Sequence, residues 1–413
     1  MEERKVIPSK RKMEFMDWEW GVFFHFGIRT FYEGHTDWDG RPMDASGFCP
    51  EALDCEQWIR TVSEAGGKYA VLVCKHHDGF ANWPSAYTEY SVKNTPWKDG
   101  KGDVVREYVD ACRKYGIKVG LYYSPAEAQQ VERTDEEYEK YFIDQIGELL
   151  TGYGKIDYLW FDGCGSENHS FHKERVIAAI RGMQPEILIF NMWDPDTRWV
   201  GNEAGIVPYP NFNVVDSLGI SVRTDKKENL ENLVYMPGEC DCRMREENWF
   251  YSDSDEETVK SVDELMGLYY YSVGRGANLL LNIGPDRRGL LPEKDCRQLL
   301  AFGEEIRRRF DRPLKGRFIR KEEKYFIEFP EVCLVNHVIL KENLLTGKEI
   351  SEFKVYGYGY PCVGPTPLAL YQGSTIGHKA ICRFPVMRTD RLEIVIPDQM
   401  GELSDAMAFY VEP

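Results

Sequence analysis

Residues 69–76 read Tyr-Ala-Val-Leu-Val-Cys-Lys-His. The apolar residues follow one another without a polar break, and the run ends abruptly in a cation and an imidazole. A strand with one face in water alternates apolar and polar residues. A strand covered on both faces does not, and that pattern belongs to parallel sheets flanked by helices. Working outward, 21–27 (GVFFHFG), 118–124 (KVGLYYS), 157–162 (DYLWFD), 186–192 (EILIFNM) and 277–283 (ANLLLNI) have the same texture. Between them the period becomes helical. Trp58, Ile59, Val62 and Ala65 share one face of 55–67, and Val104, Val105, Tyr108, Cys112 and Tyr115 share one face of 103–115. Further helices are expected over 135–150, 173–181, 262–273 and 293–310.

Buried strands alternating with amphipathic helices specify an α/β protein with a parallel sheet. A doubly wound nucleotide-binding sheet carries a Gly-rich turn after its first strand. Here that strand runs into His25-Phe26-Gly27-Ile28-Arg29, which is no phosphate loop. Strand number and length favour a (β/α)8-type TIM-like barrel. Residues 200–260 keep neither period, so the later barrel strands are not placed. After Arg312-Pro313 come short β-rich segments at 325–329, 333–341, 352–358, 379–384 and 391–396. They read as a small C-terminal β-sandwich, expected to pack on the barrel. The expected domains are thus 1–312, a catalytic barrel, and 313–413, the sandwich.

A net charge of −17 would repel nucleic acid. The basic run Arg307-Arg308-Arg309 reads as a solvated helix end. Eleven cysteines, odd in number and irregular in spacing, fit reduced thiols better than a disulfide framework. The charged start Met-Glu-Glu-Arg-Lys has no apolar core of a signal peptide, and no apolar run is long enough to span a bilayer. Cytoplasmic location without membrane partners is therefore expected. No cofactor is implied, and homo-oligomerisation is left open.

In a (β/α) barrel the chemistry sits at the C-terminal strand ends. His25 ends the first strand; Lys75, His76, His77 and Asp78 the second; Tyr122, Tyr123 and Ser124 the third; Trp160 and Asp162 the next. Asn191, Trp193, Asp194, Trp199, Asn202 and Glu203 follow. Imidazoles and carboxylates bond sugar hydroxyls, aromatic faces cover their C–H surfaces, and two carboxylates suffice for glycoside cleavage. Asp162 ends a very apolar strand and precedes Gly163, which suits a nucleophile on a rigid element or a cap for the following helix. His76-His77 suits sugar binding. A catalytic metal would need three converging ligands, and the first strand carries only His25.

These segments resemble glycoside hydrolase family 29, the retaining α-L-fucosidases. The resemblance rests on Phe24-His25-Phe26-Gly27, Lys75-His76-His77-Asp78-Gly79-Phe80 continuing through Trp83-Pro84-Ser85, Tyr122-Tyr123-Ser124-Pro125, Trp160-Phe161-Asp162-Gly163 and Leu279-Leu280-Leu281-Asn282-Ile283. It implies Asp162 as nucleophile, with His25, His76, His77, Tyr123, Trp160 and Trp83 binding fucose or lining its pocket. Gly201-Asn202-Glu203 is similar to the branch preferring α-1,3/1,4-linked fucose, which implies Glu203 as acid/base and Glu239 as the alternative. Arg245 and Trp249 persist from a loop that otherwise departs from its relatives, so the leaving-group preference is open. The implied substrate is a fucosylated oligosaccharide cleaved with retention. A non-catalytic fucose-binding barrel and a metal-dependent hydrolase are the alternatives.

Overall fold

Eight parallel strands close into a ring in which spatial order follows chain order. The computed structural model describes residues 5–35, 39, 41–128, 133–165, 169–221, 224–359, 367–397 and 401–412, with backbone alone at 220, 221 and 224–226. Strands β1 (Trp20–Phe24), β2 (Tyr69–Lys75), β3 (Lys118–Tyr123), β4 (Tyr158–Phe161) and β5 (Leu188–Phe190) are followed by β6 (Arg198–Trp199). An antiparallel hairpin of β7 (Val214–Ser221) and β8 (Thr224–Tyr235) then interrupts the barrel before β9 (Gly238–Arg243) and β10 (Asn278–Asn282). The order is β5-β4-β3-β2-β1-β10-β9-β6. A parallel bridge from Phe190 to Thr197, next to β6, joins the two ends.

Side-chain parity splits the barrel into two cores. Val22, Phe24, Ala70, Leu72, Leu121 and Leu281 face the helices. Phe23, Val71, Tyr122, Tyr158, Trp160 and Leu280 fill the interior. The strands are buried on both faces, which is why they read as unbroken apolar runs. Helix α1 (Lys10–Asp17) plugs one end: Phe15 packs against Trp18, Tyr69 and Tyr158 with ring centroids 5.4, 6.2 and 5.3 Å apart.

Helices α2 (Cys55–Ala65), α3 (Val104–Tyr115), α4 (Asp135–Gly152) and α5 (Lys173–Met183) cover the first half of the ring, and α6 (Val262–Tyr271) and α7 (Glu293–Phe310) the last part. Asp54 and Asp103 cap α2 and α3 by accepting the N–H of Gln57 and Arg106. Arg308 and Arg309 pair with Glu305 at the end of α7, the first partly exposed and the second mostly buried. No helix separates β5 from β6 or β6 from β9 among the described residues. Strand β9 escapes a periodicity reading because its sequence, Gly-Glu-Cys-Asp-Cys-Arg, carries charges on the inward parity while Cys240 and Cys242 join the outer core.

The C-terminal strands are β11 (Arg317–Lys321), β12 (Lys324–Glu342), β13 (Phe353–Tyr358), β14 (Pro367–Gly373), β15 (Ala380–Val395) and β16 (Leu403–Phe409). They form one antiparallel sheet rather than two separate ones. The long strands β12 and β15 run through both halves, and a register break between Glu328 and Cys333, spanning Pro330, divides the halves. One core joins Tyr325 and Ile327 to Val338, Leu340 and Cys382. This unit is tied to the barrel by Lys379 Nζ on Glu19 Oε1 at 2.6 Å and by Glu349, which accepts the N–H groups of Asn213 and Val214 at 2.7 and 3.1 Å.

Candidate active site

All eight strands point the same way, so their C-terminal ends share one rim. A cavity of about 450 Å³ opens there. His25, His76, His77, Trp160 and Asp162 line it from the strand ends, with Glu203 and Trp249 on the loops. These are seven of the residues expected from sequence.

Asp162 sits one residue beyond β4, with 26% of its side chain open. Its Oδ2 accepts from Tyr122 Oη at 2.9 Å and lies 3.4 Å from His77 Nε2, while Oδ1 accepts the Cys164 N–H at 2.9 Å. Burial pushes this carboxyl up, but His77, the Cys164 amide and the Tyr122 phenol outweigh it and leave the pKa below the usual aspartate value. Among the described residues the helix that follows is α5, which begins at Lys173 after His172.

The imidazoles are oriented by their neighbours. Asn282 Nδ2 donates to Trp249 O at 2.7 Å, so its Oδ1 accepts the Nδ1–H of His25, also at 2.7 Å. His76 stacks on Tyr122 and meets Phe250 edge-on. Burial, then the positive fields of His77 and Arg29, hold its pKa well below the usual value, so His76 is neutral. Trp160 stacks on Phe190 at 4.1 Å and on Tyr122 at 5.4 Å, giving the pocket an aromatic floor.

Four expected residues lie elsewhere. Tyr123 points to the helix layer and donates to Gln145 at 2.6 Å; strand parity gives the pocket Tyr122 instead. Trp83 is buried against α4, where its indole donates to Glu148 at 2.8 Å. Arg245 is locked between Asp255 and Asp295 at 3.2 and 2.9 Å, because its strand-exit turn carries it into the protein; Arg243, two residues earlier, lines the cavity. Glu239 lies beneath the floor at 1% exposure, accepting from Tyr69 at 2.6 Å, Trp160 at 2.8 Å and Tyr158 at 3.2 Å. Burial drives its pKa to about 8. Its neighbour on the same parity, Asp241, does line the cavity, and accepts from Trp199 Nε1 at 2.9 Å. Burial, with the charges of Glu203 and Asp162, raises Asp241 to about 7. Asp241 and Arg243 were missed with β9, although the alternation of Cys with charged residues is a strand signal.

Glu203 stands in a turn with positive φ at Gly201, Glu203 and Gly205. A φ of 63° is costly for a glutamate. Such strain persists where surrounding structure requires it, and here the strained residue lines the cavity.

Among the described residues, the one group of three atoms suited to a metal is His76, His77 and Asp162, within 4.8 Å of one another. The Asp162 oxygen nearest His77 also accepts from Tyr122.

A family model described as alpha-L-fucosidase matches residues 4–308. The chain belongs to this family. Alpha-L-fucosidase 1 of Arabidopsis thaliana is 34% identical over 307 residues, 72% of this chain and 60% of that protein. The chain thus spans about six-tenths of the Arabidopsis protein's length. A homologue from Oryza sativa subsp. japonica is 31% identical over 432 residues, 94% of this chain and 82% of its own. The crystal structure of a glycoside hydrolase 29 family member from an unknown rumen bacterium superposes with a TM-score of 0.88 at 31% identity, covering 99% of this chain and 78% of that one. Within the matched span, the segments around His25, His76-His77 and Asp162 all end at this cavity.

Proposed function

We propose that the protein is a retaining exo-glycosidase that releases terminal α-L-fucose from oligosaccharides, with Asp162 as nucleophile and Glu203 as acid/base. The observation that carries this reading is Asp162: a carboxylate held below the usual aspartate pKa by His77, the Cys164 amide and Tyr122, facing a cavity of about 450 Å³ walled by imidazoles and indoles. In the first step Asp162 attacks the anomeric carbon while protonated Glu203 gives its proton to the leaving oxygen. In the second, Glu203 takes a proton from water, the water oxygen bonds the anomeric carbon, and the Asp162 ester breaks. The cycle requires Glu203 to hold its proton in the free enzyme and to be ionised once the glycosyl-enzyme has formed. Glu239, under the floor, is out of reach of a leaving group and holds Trp160 in place.

The Gly201-Asn202-Glu203 stretch supports a preference for α-1,3/1,4 linkages. Ten described cysteines are free, which suits a reducing, cytoplasmic site of action. Among the described residues no helix is long and apolar enough to cross a membrane.

The test is a panel of α-1,2, α-1,3, α-1,4 and α-1,6 fucosides, with the anomer of the first product followed by NMR. Retained configuration, turnover fastest on the α-1,3 and α-1,4 members, and full activity after chelator treatment are expected. Inversion would remove the double displacement. Loss of activity with chelator, restored by a divalent ion, would favour a metal-dependent hydrolase. Tight fucose binding with no turnover of any member would leave a binding protein.

A further inference from the structure

Ser124 follows β3 and is completely buried. Its Oγ makes three contacts: it donates to Ala126 O at 2.9 Å, accepts the Ala126 N–H at 3.2 Å, and lies 2.6 Å from His77 Nδ1. A serine hydroxyl has one proton. With that proton on Ala126 O, the bond to His77 runs from Nδ1–H to Oγ. The other ring nitrogen, Nε2, is 3.4 Å from Asp162 Oδ2. A bare nitrogen lone pair facing a carboxylate is repulsive, so Nε2 carries a proton as well. The short 2.6 Å contact suits a charge-assisted donor.

We propose that Ser124 is a positioning residue of the reaction: it accepts the Nδ1–H of His77 and so holds that ring as an imidazolium whose Nε2–H faces Asp162. This rests on Asp162 being the nucleophile. The imidazolium keeps Asp162 ionised for attack. It also favours the second step, in which the bond between Asp162 and the anomeric carbon breaks and the pair of electrons returns to the carboxylate.

The surroundings of His77 set the terms. His76 and Asp78 flank it, and Lys75 on the same strand is paired with Glu127 at 3.0 Å. Tyr122 comes from β3 and Asp162 from β4, while His25 and Arg29 lie across the pocket beside His76. Asp162 is the closest negative partner, and Ser124 is the acceptor that satisfies the opposite end of the ring. Without that acceptor the buried Nδ1–H is unpaired, the charged ring becomes costly, and Asp162 loses its cation.

The experiment measures kcat/KM for an aryl α-L-fucoside from pH 3 to 8 for wild type, Ser124→Ala and Ser124→Thr, with Tm for each. In Ser124→Ala the acid limb should move up by about one pH unit, so the deficit grows as pH falls and approaches roughly ten-fold below the limb. Ser124→Thr, which keeps the hydroxyl, should return the limb toward wild type. A deficit in Ser124→Ala that is constant across pH, or absent, overturns the proposal. If Ser124→Ala does not fold, Ser124→Cys carries the test, since a thiol is a poor acceptor: a shifted limb supports the role and an unshifted one overturns it. A wild type with no turnover overturns the proposed function instead, and is distinguished by that control.

Discussion

The phenol of Tyr122 donates to the carboxylate of Asp162 at 2.9 Å across the adjacent strands β3 and β4. The same ring stacks on Trp160 and on His76, so one side chain touches the proposed nucleophile, the floor and a wall. Removing only its hydroxyl isolates the electrostatic part. Tyr122→Phe takes away one of the groups that lower the Asp162 pKa, so that pKa rises and the carboxylate is protonated earlier as pH falls. The expected result is a loss in kcat/KM that grows as pH falls, up to about ten-fold below the acid limb near pH 3, a smaller loss near pH 8, and an unchanged Tm. A pH-activity profile of the variant checks this; an acid limb at the wild-type position would show that the phenol does not stabilise the carboxylate.

How far this relationship was legible in the sequence is instructive. Strand burial, barrel closure and the rim position of His25, His76, His77, Trp160 and Asp162 follow from runs of apolar residues that stop at polar ones. Parity within a fully buried strand does not follow, because both faces are apolar and nothing in Tyr122-Tyr123 says which ring turns inward. The β9 region was hard to read for the opposite reason: its inward side chains are the charges Glu239, Asp241 and Arg243, the first two bonded by Tyr69, Trp160 and Trp199, and only Cys240 and Cys242 mark its outer face. Arg245 looked like a pocket residue and is a structural cation, since a turn's direction is set by tertiary packing.

The assignment of Glu203 over Glu239 is decided by chemical rescue. Glu203→Ala should lose about 10²–10⁴-fold on natural fucosides and far less on an activated aryl fucoside, whose leaving group needs no proton. Azide, small enough to occupy the vacated space, should attack the glycosyl-enzyme and give a fucosyl azide of retained configuration. Glu239→Ala should show no such rescue, because that carboxyl is 1% exposed and lies below Trp160. Product analysis by NMR checks both; rescue of the Glu239 variant alone would reverse the assignment.

Arg243 and Arg245 are two residues apart and should fail in different ways. Arg245 is 6% exposed between Asp255 and Asp295, so Arg245→Ala leaves two buried carboxylates without their cation. Breaking such a pair costs about 3–5 kcal/mol, and Tm should drop by several degrees. Arg243 lies over the Trp249 ring at 5.4 Å in the cavity wall, so Arg243→Ala should leave Tm in place and raise KM for oligosaccharides more than for a small aryl fucoside. Thermal melts beside steady-state kinetics separate the two; equal melting losses would make Arg243 structural as well.

Glu239 predicts how stability varies with pH. Its folded pKa is raised to about 8, against an ordinary value near 4.5, because burial disfavours the charged form. Between those values the folded chain keeps the proton and the unfolded chain releases it, so the unfolded state binds fewer protons and stability falls as pH rises. Asp241, raised to about 7, acts in the same direction. Glu239→Gln removes the ionisable group while keeping one acceptor oxygen for Trp160 and Tyr158; the Tyr69 phenol then faces the amide nitrogen and has to accept from it. Denaturant midpoints at pH 5 and pH 8 should therefore differ less in the variant than in wild type, by a free energy on the order of a few kcal/mol. The comparison has to be made within each protein, because replacing a carboxyl oxygen by an amide also alters the three hydrogen bonds at every pH. An identical pH slope in both proteins would mean that Glu239 is ionised in the folded state, and that its three donors, rather than its burial, set its charge.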